Sequence, residues 1–435
     1  MNARHAHAED GVRTCRHDMH GSFAGRVAAA VRLITLVLMI LSVSEFCTAV
    51  QGADADSGIT IERFPSTTVD GTSIAVRVRN AALAHTTQLF PDSTDSNEAA
   101  AQVTSLFVRL QTVLQKGGAA PKDIVKLNVY VRDSSVRSII LKELSRWTAD
   151  AQPAIAFVTT PLPDMNVVVA LDAVFAMPHV SERGNPYFVA LEERAGNDYS
   201  ARVRLLPPGD VVYVSGQATA GELAKATTDT LGGLLKTIEA LGLDRSHIVQ
   251  IKTFMSPMSE ADVVNRQIEA FFKEIRVPPV SHVQWLSGSR PIEIELVAWA
   301  PLKASVETVS YFTPDWMKSS PVFSRVARIH GNDRVYVSGL EAQSPGDGES
   351  QVRSIFQSLA GALTTAGSDL RHLAKATYYV SDVDASGQLN ALRPFYYDTA
   401  RPPAASKAMV ADVGTAERTI SVDMIAAPAR LLRKM

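Results

Sequence analysis

Ser215 and Ser338 each follow a run of strand-forming residues and precede a glycine, in VVYVSG and VYVSG. A hydroxyl so placed donates to a ligand or bonds the backbone of its own turn, and the sequence leaves both readings open. Asn265 and Asn390 recur about 125 positions apart. Each carboxamide either faces a ligand or ties a helix to a loop. His282 stands without a second histidine at metal-binding spacing, so it is a ligand contact, a base or a structural histidine. The chain contains no HExxH, GxxxxGK or GxSxG and no cluster of cysteines. Zincin, P-loop and lipase-type hydrolase chemistry therefore has no support, and neither metal nor cofactor is expected.

The elements that must position these residues repeat along the chain. The strand at 211–217, VVYVSGQ, returns at 335–340 as VYVSGL. A second marker, DIVKLNVYV at 123–131, returns as HIVQIKTFM at 247–255 and HLAKATYYV at 372–380, which aligns Lys126, Gln250 and Lys375. Before each lies an amphipathic helical pattern: Val103, Leu106, Phe107, Leu110, Val113 and Leu114 in the first copy, with equivalents from Leu231 and from Val352. Gly117, Gly242 and Gly367 are the expected left-handed helix ends, and Ser259 with Asp262 reads as a capping box. Phe271-Phe272 and Tyr396-Tyr397 fall in helical context and read as core. The spacing predicts three units, 59–178, 179–301 and 306–430, the first the most divergent, with only ALAHTTQ at 82–88 for the glycine-turn strand. Each unit reads strands, helix, strand, helix, strands. That order predicts an α+β layer with both helices on one face of a sheet, and three bare sheet faces that can bury against one another.

Residues 1–53 read as a signal peptide and leader. Residues 33–43, LITLVLMILSV, form an uncharged apolar core of about 11 residues, short for a membrane span. Small residues follow, and cleavage after Ala49 or Ala53 removes both cysteines, Cys15 and Cys47. Met19 offers an alternative start. Export to the periplasm or outside is expected, the alternative being a membrane anchor formed by the uncleaved segment. The 43 Lys and Arg against 45 Asp and Glu give a net charge of −2, which argues against nucleic acid as a partner.

With YVSGQ at 213–217, Asn265 ahead of Phe271-Phe272, Pro278-Pro279, IEIELVA at 292–298, YVSG at 336–339, Asn390, Pro402-Pro403, SVDMIAA at 421–427 and DIVKLNVYVRD at 123–133, the chain resembles the Rid family, the YjgF-type reactive-intermediate deaminases, some of them once called endoribonucleases. The resemblance implies a chorismate-mutase-like fold. Family members are typically homotrimers around a central barrel, with ligands held between subunits. A monomeric pseudo-trimer made by one chain follows as an expectation. In deaminating members an arginine in a P-x-R-S segment pairs with the carboxylate of an imino acid. Here the matching positions are Ile155, Val280 and Ala405, so that anchor is missing three times. An acid near the end of the last strand, which the resemblance assigns to water positioning, is matched by Asp172, Glu295 and Asp423. These carboxylates serve that role or bind backbone amides or a lysine. Arg290 and Arg418 precede two of the acids and are candidates for a relocated anchor.

The expected function is an exported Rid-like protein with degenerate deaminase sites that binds a small molecule between its units. The alternatives are an active imine deaminase with a relocated anchor, and a structural or protein-interaction module.

Overall fold

A computed structural model describes residues 58–67, 69, 71–92, 98–147, 151–178, 180, 184–189, 202–286 and 288–429. The expected leader and both cysteines lie outside them. Among the described residues no helix is long and apolar enough to cross a membrane.

Each unit lays two helices over one sheet. In the first, helices Ala99–Lys116 and Val136–Trp147 cover the strands Ala82–Thr86, Ile124–Val131, Ala154–Thr159 and Val169–Met177. In the second, Leu223–Glu239 and Ala261–Phe272 cover Asp210–Gln217, Ile248–Met255, Val280–Gln284 and Ile292–Ala300. In the third, Gly348–Thr365 and Val383–Tyr396 cover Asp333–Val337, Leu373–Val380, Ala404–Met409 and Ile420–Ala426. The six apolar residues that set the first helical pattern are all buried, as are Leu231, Leu234 and Ile238 in the second and Val352, Ile355, Phe356, Leu359 and Leu363 in the third. At ~1.5–3 kcal/mol per large apolar side chain removed from water, these stripes hold the helices to their sheets.

The helix ends differ in detail from expectation. Gly242 and Gly367 have positive φ, but in the first unit the left-handed residue is Gly118, while Gly117 is right-handed at φ −77°. Ser259 forms no capping box, because a 3-10 turn, Met258–Glu260, precedes the helix and leaves its start without a side-chain cap.

Register is the same in all three units. The strand after the first helix runs parallel to the strand after the second, pairing Leu127 with Ile155, Ile251 with Val280 and Ala376 with Ala405. It runs antiparallel to the last strand, pairing Asn128 with Asp172, Lys252 with Glu295 and Thr377 with Asp423. The opening strand of each unit, however, joins a neighbour. Val203–Leu206 of the second unit pairs with Ala82–Thr86 of the first. Val326–Ile329 of the third pairs with Asp210–Gln217 of the second. Ser73–Arg79 of the first pairs with Asp333–Val337 of the third. Sheets therefore cross the sequence boundaries of the units.

Candidate functional site

Alternation along the three equivalent strands sorts side chains between the helices and a shared interior. Leu127, Val129 and Val131 pack under the helices of the first unit. Inward, each strand begins apolar, with Val125, Val249 or Ala374, in a core to which all three units contribute. Each ends on an aromatic, Tyr130, Phe254 or Tyr379, in a second such core. Between these plugs lie Lys126 and Asn128, Gln250 and Lys252, and Lys375 and Thr377. The interior thus holds a polar layer between two apolar ones.

The three predicted carboxylates belong to this layer, and each is bonded to a neighbouring unit. Lys126 Nζ donates to Asp423 Oδ1 at 2.7 Å and to the Val337 carbonyl at 2.6 Å. Lys375 Nζ lies 2.8 Å from Glu295 Oε1. Asp172 takes neutral donors instead, Asn128 Nδ2 at 2.8 Å, Tyr130 Oη at 2.5 Å and Ser281 Oγ at 2.7 Å. Burial alone would raise Asp423, but Lys126, Lys375 and Lys252 hold it below the usual carboxylate range. Burial also lowers Lys126, against the pull of Asp423.

At the junctions between units the predicted serines bond across rather than within their turns. Ser215 Oγ accepts the Ala405 N–H at 2.8 Å and donates to the Ser324 carbonyl. Ser338 Oγ accepts the Ile155 N–H at 2.8 Å and donates to the Ser73 carbonyl at 2.6 Å. Thr87 takes the same place in the first unit, its hydroxyl 2.8 Å from the Val280 carbonyl. The predicted Ile155, Val280 and Ala405 thus each face the glycine-turn strand of another unit.

Two of these junctions hold polar groups that are already paired. Between the first and second units, the Gln88 carboxamide accepts the His282 N–H at 3.2 Å. The His282 ring is buried between Thr253 Oγ1 at 2.7 Å and Asn265 Oδ1 at 3.0 Å. Between the third and first, Gly339 N–H reaches the Ile155 carbonyl at 2.7 Å, and a Cβ on Gly339 would stand 3.1 Å from Ala156 Cα. Arg137 covers the Phe157 ring there and binds Glu341 Oε1 at 2.8 Å.

The junction of the second and third units keeps polar groups in reach of solvent. Gly216, Gln217, Glu293, Ala405 and Lys407 are partly exposed and Asn390 is exposed. Gly216 N–H donates to Ser406 Oγ at 3.2 Å. Lys407 Nζ donates to Ser386 Oγ at 2.8 Å and Asn390 Oδ1 at 3.1 Å. Lys407 stands two residues after Ala405, on the same face of its strand, and Arg393 Nη2 donates to Asn390 Oδ1 at 2.7 Å. Burial and the Glu295 charge push Glu293 up to about 7, against a Ser406 hydrogen bond and the Arg290 and Arg325 charges. Burial and Arg393 lower Lys407, against the Glu293 charge. A Cβ on Gly216 would overlap the Glu293 side chain, so a larger residue there would displace that carboxylate from its present position.

Glu293 and Lys407 are functional candidates outside the predicted set. The signal for Glu293 was the first acid in IEIE, two residues before Glu295; the matching positions are Ala170 and Ser421. Of the predicted arginines, Arg290 is exposed, and Arg418 donates to the carbonyls of Ala342, Gln343 and Ala416.

The endoribonuclease L-PSP family model matches residues 191–300 and 317–428, while 59–178 lie outside both matches. No curated protein sequence matches the chain. Among solved structures, the YjgF gene product of Escherichia coli is 28% identical over 21% of this chain and 81% of its own, with a TM-score of 0.20. A YjgF-family protein of Neisseria meningitidis is 18% identical over 28% of this chain and 97% of its own, at 0.22. A Rid-family protein of Yersinia pestis is 19% identical over 28% and 99%, at 0.26. The two matched segments span just over half of the sequence, and the chain belongs to the endoribonuclease L-PSP family, that of the YjgF and Rid proteins, carrying the domain in tandem.

Proposed function

We propose that the protein is an exported Rid-like binding protein that holds one small organic anion at the junction of its second and third units. What carries this reading is the asymmetry of the junctions. Only the second–third junction pairs an acid at the Glu293 position with a lysine beside the position of the missing arginine, within reach of solvent. Lys407 would hold the ligand's carboxylate, and Asn390 keeps its ammonium aimed. The cyclic strand exchange supports a chain that closes its own three-unit assembly, with no second copy required. The ribonuclease reading of the family description has less behind it. The net charge is −2, and His85 and His282 are single buried histidines in separate places.

The probe is 2-oxobutanoate, a 2-oxo acid of the class that imine hydrolysis would release. Saturable binding is expected by calorimetry, weakened at least tenfold by Lys407→Met and unchanged by Arg418→Gln. Equal binding by wild type and Lys407→Met would refute the assignment of the anchor.

A second reading has its own observation. A carboxyl poised near 7 suits proton transfer at neutral pH. Glu293 would take a proton from water as the water oxygen bonds to the imine carbon and the C=N π electrons move to nitrogen. The carboxyl would return that proton to nitrogen, and as the second water proton follows it the C–N bond would break, ammonia leaving and the carbonyl of the 2-oxo acid forming. Imine hydrolysis by wild type, with no rate above buffer in Glu293→Gln, is what this reading requires. Zero rate in wild type leaves the binding reading alone standing.

Export is proposed from the leader. N-terminal sequencing of the protein recovered from the cell envelope or medium is expected to start after Ala49 or Ala53. An intact N-terminus in a membrane fraction would instead make the segment an anchor.

A further inference from the structure

The polar layer of the interior encloses a cavity that the binding reading does not use. Its walls are His85, Lys126, Asn128, Gln250, Lys252, Glu295, Lys375 and Asp423, closed by Tyr213, Tyr336 and aliphatic neighbours. Space for the centres of water-sized groups amounts to about 30 Å³. One water needs ~10–15 Å³ on that measure, so the cavity takes two or three such groups.

Its charges do not cancel. The walls carry three ammoniums, Lys126, Lys252 and Lys375, against two carboxylates, Glu295 and Asp423. Just beyond, Asp172 and Arg334 add one charge of each sign, both bearing on His85. Lys126 pairs with Asp423 and Lys375 with Glu295. Lys252, only 5% exposed, has no carboxylate within ion-pair distance among the described residues, and its ammonium lies 5.8 Å from the centre of the Tyr130 ring. Lys252 stands opposite Glu295 in the strand register, but Lys375 takes that carboxylate; Gln250, which stands where the other units have Lys126 and Lys375, bonds His85 Nδ1 at 3.0 Å. Two further atoms lack partners, Asn128 Oδ1 and His85 Nε2, on side chains 8% and 4% exposed.

A buried unpaired ammonium is costly, and so are unsatisfied acceptors. A ligand that neutralises the ammonium and satisfies one of the two acceptors needs one negative charge and a hydrogen to donate, within three or four heavy atoms. We propose that this cavity binds a small protic oxyanion of hydrogencarbonate size, its charge on Lys252 and its hydroxyl donated to Asn128 or His85. The site is separate from Lys407 and too small for 2-oxobutanoate.

The test uses the mature chain at fixed pH and ionic strength, titrated with sodium hydrogencarbonate, with chloride and acetate as controls, while thermal unfolding is followed. A saturable rise in Tm with hydrogencarbonate and a smaller one with acetate are expected. Lys252→Met and Lys252→Gln should weaken the effect at least tenfold. Without the anion, Lys252→Met should melt above wild type, because an uncompensated buried charge is gone. Equal shifts with chloride, no saturable shift, or a shift that survives both substitutions would each overturn the proposal and leave a cavity filled by water alone. Should one variant fail to fold, the other carries the comparison.

Discussion

Asp423→Ala is expected to cost the fold about 3–5 kcal/mol, the toll of leaving a buried charge unpaired. Lys126 is 2% exposed and its ammonium has Asp423 as its carboxylate partner, 297 positions along the chain. Removing that partner strands a cation between the first and third units. The double variant Lys126→Met/Asp423→Leu should recover most of the loss, since a well-packed apolar pair replaces a buried ion pair at little net cost. Urea unfolding of the two single variants and the double variant measures this directly. A loss below about 1 kcal/mol for Asp423→Ala would mean that the pair does not tie the units together.

Acid should weaken the fold well above the carboxylate range. His85 and His282 are both buried, and burial lowers both from 6.5 to about 4. The unfolded chain therefore binds two protons between pH 6.5 and 4 that the native state refuses. Stability is full above 6.5 and is lost as pH falls through that window, by up to ~3 kcal/mol per histidine. Glu293 works with the opposite sign. Its folded value of about 7 lies above the ordinary 4.5, so the native state binds the extra proton and gains stability as pH falls from 7 to 4.5. The carboxyl is partly exposed, which limits that offset to about 1–2 kcal/mol. Asp423, held low, acts only below this window. Urea unfolding at pH 7, 5.5 and 4 should show a fall, steeper in Glu293→Gln and shallower in His282→Gln. Equal stability at the three pH values would contradict the burial of both histidines as neutral rings.

The repeat and its element order were legible because hydrophobic period and glycine spacing are local signals. The markers that aligned Lys126, Gln250 and Lys375 also mark one level of the interior. What those side chains meet was not legible. Lys126 with Asp423, Lys375 with Glu295 and Ser281 with Asp172 are contacts between units, set by a strand exchange that no periodicity announces. The same holds for Ser215 and Ser338, whose bonds cross to Ala405 and Ile155. Glu293 and Glu295 look alike in IEIE. Only the neighbouring Gly216 and Ser406 separate a junction acid from an interior one. The missing arginine was visible in sequence, but Lys407 gains meaning only beside Glu293 and Asn390.

One equipped junction in a chain that closes on itself is the arrangement proposed. Calorimetric titration of residues 54–435 with 2-oxobutanoate, on material whose light-scattering mass is known, tests it most directly. The mass of a single chain and one ligand bound per chain are expected. A mass of three chains, or three ligands per chain, would contradict it.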